Sequence, residues 1–181
     1  QTQLFFSAEY RLAQAYYFLG DYEKVANLLA RMSENNSYFA HRDKMQLFAG
    51  KVYLEQDAFD DAEKLLLRLA TGTGKNELRG EAWYLLSGIS IDQRGDLEKG
   101  KTQLEEALKL LSDANLRGLA TKRLDGLRLL AIMNDTLDSG GSDSTDLGLL
   151  RYKIGEVYWL DTRLPDSALV YFDELLNDPT I

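Results

Sequence analysis

Cys and His, the side chains most often used for nucleophilic, acid–base and metal chemistry near neutral pH, are scarce in this 181-residue chain. It contains no Cys and a single His, His41. The lack of Cys excludes thiol catalysis, disulfides and Cys-ligated zinc, and a single His removes most metal sites and catalytic triads. His41 could still act as a base or a ligand. Because no second His or Cys can work with it, we interpret it as a surface histidine.

The run Thr71-Gly-Thr-Gly-Lys75 resembles part of a phosphate-binding loop. Such a loop needs a glycine-rich turn after a strand, a Lys for the phosphates and a Ser or Thr for magnesium. Here Leu69 stands at the first Gly position, Asn76 replaces the Ser or Thr, and the preceding segment has a helical pattern. The run is therefore predicted to be an ordinary loop between helices.

Adjacent acidic residues and one longer glycine-rich acidic run are further candidates for chemistry. The pairs Asp60-Asp61 and Glu105-Glu106 could suggest acid–base catalysis, but neighbours on a helix point in different directions, so we interpret them as solvated faces or partners of helix N-termini. The glycine-rich acidic run 138–146 could bind calcium weakly, but it lacks the spacing and the closing Glu of a calcium loop, and we predict a flexible loop. We therefore expect no catalytic residue, no metal and no cofactor.

The elements that carry these residues are predicted to be helices. The chain has only two Pro, and apolar residues recur at spacings of three and four, as in Leu65, Leu66 and Leu69. Because the breaks in this pattern are short, consecutive helices should form antiparallel hairpins. The second helix of a hairpin should begin with Asp as its N-cap or with Pro in its first turn. The breaks fall at Gly20-Asp21, Gln56-Asp57, Gly95-Asp96 and Leu164-Pro165.

The hairpins repeat. A small residue followed three positions later by a bulky one recurs in the first helices, as Leu12-Ala13-x-x-Tyr16, Ala49-Gly50-x-x-Tyr53, Ser87-Gly88-x-x-Ile91 and Ile154-Gly155-x-x-Tyr158. The second helices carry matching sets: Val25, Leu29, Met32; Ala62, Leu66, Leu69; Gly100, Leu104, Ala107; and Ala168, Phe172, Leu175. The small residues let the two helices of a hairpin approach each other, and the bulky ones fill the space beside them.

This pattern resembles the tetratricopeptide repeat, most fully over residues 12–32 and 84–107. Glu9, Gln46 and Arg151 depart from it, because the family prefers a large apolar residue there, and Ile91 replaces the preferred Tyr. The resemblance implies an all-α fold, a right-handed superhelix of antiparallel hairpins whose first helices line a concave groove. In this family the groove holds a peptide or helix of a partner protein.

The predicted organisation is a single array over 1–181. We expect hairpins at about 7–34, 43–70, 81–111 and 148–178, a lone long helix at about 113–137, and the loop 138–146. The chain begins without Met and stops after an apolar helix, which suggests a fragment of a longer protein. That last helix has no polar helix after it, so a weak homo-oligomer through it is expected.

Charge and hydropathy narrow the class of partner. The net charge of −8 argues against nucleic acid and anionic membranes, and no apolar stretch is long enough for membrane insertion. The leading hypothesis is a non-enzymatic scaffold that binds a protein or peptide. Two alternatives stay open: a periplasmic adaptor resembling outer-membrane assembly or Tol–Pal associated tetratricopeptide proteins, and a purely structural oligomerisation or spacer module. The compartment, cytoplasmic or periplasmic, also stays open.

The resemblance also implies which residues face the partner. The family's carboxylate clamp needs Lys, Arg and Asn donors at positions where this chain has Tyr10, Gln14, Phe48, Ala82 and Leu86, so an amphipathic helix or mixed peptide is expected instead. The predicted partner-binding residues are Tyr10, Gln14, Tyr17, Lys44, Leu47, Lys51, Leu54, Leu85, Ile89, Asp92, Tyr152, Glu156 and Trp159.

Overall fold

A computed structural model of the chain describes residues 2–139 and 144–177, the side chains of 144–146 excepted. The described residues form nine α-helices and no β-strand, which confirms the prediction of an all-α chain. The chain divides into two compact units, Gln1–Ile89 and Ser90–Ile181.

In the first unit each helix packs against the next one along the chain. Its core contains Val25, Leu29 and Met32 of one helix with Met45 and Val52 of the next. The elements are α1 (Thr2–Phe18), α2 (Tyr22–Glu34), a 3₁₀ segment (Asn36–His41), α3 (Arg42–Glu55), α4 (Phe59–Thr71) and α5 (Asn76–Gly88).

The second unit follows the same rule, since each of its helices packs against its neighbour in the chain. Two π-helical segments occur, Ile89–Gln93 at the junction of the units and Val157–Thr162 between the last two helices. The α-helices are α6 (Leu97–Leu110), α7 (Ala114–Asp138), α8 (Ser144–Glu156) and α9 (Pro165–Asn177).

The predicted hairpins correspond to particular helix pairs. Residues 7–34 lie in α1 and α2, 43–70 in α3 and α4, and 148–178 in α8 and α9 as far as they are described. Residues 81–111 belong to α5 and α6, which fall in different units, so this hairpin stays a prediction.

The predicted long helix and flexible loop are adjacent in the chain. The helix expected at 113–137 corresponds to α7. In the predicted loop 138–146, Asp138 ends α7 and Ser144 begins α8, while residues 140–143 lie outside the described part of the chain.

Left-handed backbone marks the breaks that the sequence predicted within the hairpins. Gly20, Asp57 and Gly95, at matching positions of successive first helices, have φ of 74°, 55° and 65°. Asp21 then caps α2, its side chain accepting from Lys24 N–H at 3.3 Å, and α9 begins at Pro165 as predicted. Asp57 is not a cap: the residue before α4 is Ala58, with no side-chain cap, because Asp57 itself takes the left-handed conformation.

Small residues bring the helices of a hairpin together, as the sequence indicates. A Cβ built on Gly50 would lie 2.6 Å from Leu66 Cδ2, and one on Gly155 would lie 2.5 Å from the Phe172 ring. Ala13, at the matching position of α1, is fully buried. These close approaches fix how α4 lies on α3 and how α9 lies on α8.

The π-helical segment Val157–Thr162 coincides with one extra residue in the sequence spacing, whereas the segment Ile89–Gln93 has no such extra residue. The left-handed residue after α8 is Arg163, with φ of 60°, and it stands one residue further from Gly155 than Asp57 stands from Gly50. A π-helical turn absorbs one extra residue without ending the helix.

Candidate functional site

The predicted partner-binding residues of the first unit lie on its first helices. We define the first-helix surface as the exposed or half-buried members of this set on α1, α3 and α5: Tyr10, Gln14, Tyr17, Lys44, Lys51, Leu54 and Leu85. The four predicted residues of the second unit are described separately below.

Tyr10 is held between the side chains of two helices. Its ring centroid lies 5.6 Å from that of Phe6 and 5.4 Å from that of Phe48, and Lys44 Nζ lies 4.3 Å above the ring. Burial, with a smaller contribution from the negative charge of Glu81, raises the pKa of Tyr10 to about 12. The ring is therefore fixed, with Lys44 forming a cation–π contact on it.

Tyr17 links α1 to α3 by its hydroxyl. The hydroxyl donates to Glu55 Oε1 at 2.7 Å, and the ring lies edge-on to Phe48 with centroids 5.5 Å apart. Tyr22 donates to the other oxygen of Glu55 at 3.4 Å. Burial, followed by the hydrogen bond to Glu55, raises the pKa of Tyr17 well above its usual value. Nothing local in the sequence identifies Glu55, because it acts across two helices.

An ion pair joins α3 to α5 within the first-helix surface. Lys51 Nζ lies 2.5 Å from Glu81 Oε1, with both side chains partly exposed. Leu54 and Leu85 are half-buried and pack against the core of α3, α4 and α5. Lys51 is therefore already paired with a side chain of its own unit. The sequence analysis did not predict this ion pair.

Two predicted site residues are not available to a partner. Leu47 is 4% exposed and Ile89 is 2% exposed, and both belong to the core that joins α3, α4 and α5. The prediction that they face a partner is wrong for this reason: both positions point at the neighbouring helix of the unit.

In the second unit the predicted residues have different environments. Asp92 pairs with Arg123 of α7, and burial raises the pKa of the Asp92 carboxyl although Arg123 opposes the shift. The Tyr152 hydroxyl donates to Glu156 Oε1 at 3.0 Å, one helical turn away. Trp159 is exposed. Asp92 is thus engaged with α7, while Trp159 and part of the Tyr152 ring, which lies beside Phe172, stay exposed.

A depression of about 270 Å³ adjoins Tyr10 on the first-helix surface. His41 is half-buried here and not a plain surface histidine, since its ring stacks on Phe6 with centroids 3.9 Å apart and its Nε2 lies 3.0 Å from Gln3 Oε1. The depression carries basic side chains and no acidic one. Its lining residues are Gln3, Phe6, Ser7, Tyr10, Arg11, Gln14, His41 and Lys44.

The other chemical candidates have different environments. Gly74 of the run 71–75 lies directly against the Asp43 carboxylate, which would repel a phosphate. Glu105 accepts from Arg128 Nη2 at 2.9 Å and so joins α6 to α7, where the sequence suggested only a solvated face. Asp61 is exposed in the first turn of α4.

None of the described helices is long and apolar enough to span a membrane. No protein-family model matches the chain, and no curated protein is significantly similar to it. The resemblance to tetratricopeptide repeats therefore stays a prediction from the residues themselves.

Proposed function

We propose that this chain is a non-enzymatic protein-interaction module that binds a helix or peptide of a partner across the first-helix surface. The observation that carries the proposal is the pair Tyr10 and Tyr17, two partly exposed rings that Phe48, Lys44 and Glu55 hold in place. Aromatic anchors dominate many interfaces, and side chains already ordered before binding lose little entropy on binding.

The basic side chains around the depression beside Tyr10 favour a partner that carries an acidic side chain. Arg11, His41 and Lys44 line it together with neutral side chains, whereas the whole chain has a net charge of −8. An acidic partner side chain could enter there and recover its lost hydration from these donors. The fitting partner is thus an amphipathic helix or mixed peptide with an acidic residue beside its apolar face.

The proposal includes a tetratricopeptide-like arrangement, with the hairpins stacked as a right-handed superhelix. The close approach of Gly50 to Leu66 and of Gly155 to Phe172 supports it, as does the left-handed backbone at Gly20. These are packing devices that a repeating helical hairpin needs.

A displayed library of helical and linear peptides tests the function directly. Peptides enriched on the full chain should bind the Tyr10→Ala/Tyr17→Ala double variant at least roughly tenfold more weakly. Phe39→Ala, which removes an exposed ring of the 3₁₀ segment outside the surface, is the matched control and should bind normally.

Two results would contradict the proposal. Enriched peptides that bind the double variant as tightly as the original chain would place binding on another face. A library that yields no binder at all would favour the purely structural spacer. Circular dichroism of each variant verifies that the helices are retained.

A further inference from the structure

The outer face of α1 is an uncovered apolar stripe. Leu4 and Leu19 are 73% and 79% exposed, and Phe5 and Leu12 are also exposed. With 3.6 residues per turn Leu4, Phe5 and Leu12 share one side of the helix, opposite the buried Phe6, and Leu19 follows directly after the last residue of the helix, Phe18. Single exposed apolar side chains are ordinary, but a stripe along a whole helix marks a contact surface. We call Leu4, Phe5, Leu12 and Leu19 the outer face of α1.

The hairpin of α3 and α4 shows which residues cover the corresponding side of a first helix. In the repeat alignment Met45 and Val52 of α3 stand where Ala8 and Ala15 stand on α1. Both are buried, in one core with Val25, Leu29 and Met32 of α2. The preceding hairpin therefore covers this side of α3, and the aromatic rings of α1 pack beside it on Phe48. Among the described residues of the first unit, no helix covers the same side of α1.

The last hairpin carries the matching surface and leaves it exposed. Tyr152 and Trp159 of the segment 144–162 stand where Tyr10 and Tyr17 stand on α1. Tyr10 and Tyr17 pack on Phe48 of the next hairpin, whereas Tyr152, whose ring centroid lies 6.0 Å from that of Phe172 in its own hairpin, stays exposed and Trp159 is 58% exposed.

The second helix of the last hairpin, α9, also exposes apolar side chains at positions that line an inter-helix groove in the first hairpin. Leu169 and Leu176 of α9 occupy the positions of Ala26 and Ser33 of α2, which line the groove between α2 and α3. Leu169 is exposed and Leu176 is 82% exposed. We call Tyr152, Trp159, Leu169 and Leu176 the end face of the last hairpin.

We propose that the end face of one molecule packs on the outer face of α1 of a second copy of this chain. The contact would repeat, between molecules, the packing of the α1–α2 hairpin on α3. Both halves of such an interface are present on the same chain, each on the side of the helix that faces a neighbouring hairpin in its counterpart.

The charged groups and aromatic rings of the two faces are compatible with a contact between two copies of the chain. Arg11 of α1 stands where Phe48 stands on α3, so the rings of Tyr152 and Trp159 would meet a guanidinium group in place of a phenyl ring. α9 contains Asp166, Asp173 and Glu174 and no basic residue, whereas Arg11 is the only Lys or Arg of α1. α1 also contains one acidic residue, Glu9, which pairs with Arg31 of α2, so Arg11 is the charge of α1 that the acidic α9 would meet.

The two faces differ, so a pair of bound molecules keeps one unused outer face and one unused end face. Such a heterologous contact builds open chains or rings and not a closed two-fold dimer. The mass of the full chain in sedimentation velocity should therefore rise with concentration beyond that of a dimer.

Two single-face variants test the proposal. Leu12→Glu disrupts the outer face of α1 and Trp159→Ala disrupts the end face; both positions are exposed, so folding should persist. Each variant alone should be monomeric, with a dissociation constant raised at least roughly tenfold. An equimolar mixture of the two should form a one-to-one dimer and nothing larger, because one intact face of each kind remains.

A second end-face variant, Leu169→Glu, replaces Trp159→Ala if circular dichroism shows loss of helix. Phe39→Glu, an exposed substitution elsewhere, is the matched control and should associate like the original chain.

Three results would overturn the proposal. A chain that stays monomeric up to millimolar concentration would show that a second copy does not cover these faces. Association that neither variant affects would place the contact elsewhere. Loss of association in Leu12→Glu alone, with Trp159→Ala still forming dimers, would indicate a symmetric contact between two α1 helices. None of these results bears on peptide binding at Tyr10 and Tyr17.

Discussion

Gly50 on α3 and Leu66 on α4 approach so closely that the space of a Cβ on Gly50 is already filled by Leu66, whose Cδ2 would lie 2.6 Å away. Leu66 is fully buried, so its side chain has little room to move. The same relationship joins Gly155 to Phe172 in the last hairpin. Helix packing of this kind depends on a residue without a side chain at the crossing point.

Replacing Gly50 by Ala should lower the free energy of unfolding by about 1 kcal/mol. Overpacking a filled core costs about 1–3 kcal/mol and outweighs the better helix propensity of Ala, which contributes up to about 1 kcal/mol. Gly118→Ala on α7 is the control, because no atom lies within 4 Å of its added Cβ, and it should raise stability. Urea unfolding measures both; stabilisation by Gly50→Ala would contradict the close packing.

The left-handed breaks give a second stability test. Gly20→Ala and Gly95→Ala should each lower the free energy of unfolding by about 1 kcal/mol, because a Cβ disfavours positive φ although nothing lies near it. Arg163→Gly should be neutral or stabilising for the converse reason. Thermal unfolding compares the three with the original chain. An unchanged melting temperature for both Ala variants would argue against left-handed breaks.

The raised pKa of Tyr10 predicts a loss of stability at high pH. Its folded pKa of about 12 exceeds the usual value of 10, so the protonated form is favoured in the folded state. The resulting stability is fully present below pH 10 and is lost as the pH rises through 12. The difference in unfolding free energy between the original chain and Tyr10→Phe should therefore shift in favour of Tyr10→Phe over this window. A constant difference would indicate an ordinary pKa.

Local signals in the sequence predicted much of the fold. The Gly-Asp pair at 20–21 and Pro165 marked helix boundaries, and the small residue at Gly50 marked a helix crossing, because each depends on a few neighbouring residues. The capping role of Asp57 was wrong, since a residue in the left-handed conformation does not also cap the helix.

The candidate site was less predictable. Leu47 is buried, Lys51 pairs with Glu81, and His41 stacks on Phe6, and each outcome depends on which helix lies beside that residue. A single sequence shows the face of a helix but not the side chains that meet it from a distant segment. Tyr10 and Tyr17 kept partly exposed rings because only part of each ring reaches Phe48.

The most direct test of the proposed function is the NMR footprint of a library-selected peptide on the full chain. We expect the ring signals of Tyr10 and Tyr17 and the methyl signals of Leu54 and Leu85 to shift in proportion to peptide occupancy. The ring signals of Tyr53, which lines the groove between α2 and α3, should stay unchanged. Shifts confined to Tyr53 and its neighbours, with the first-helix surface unaffected, would contradict the account.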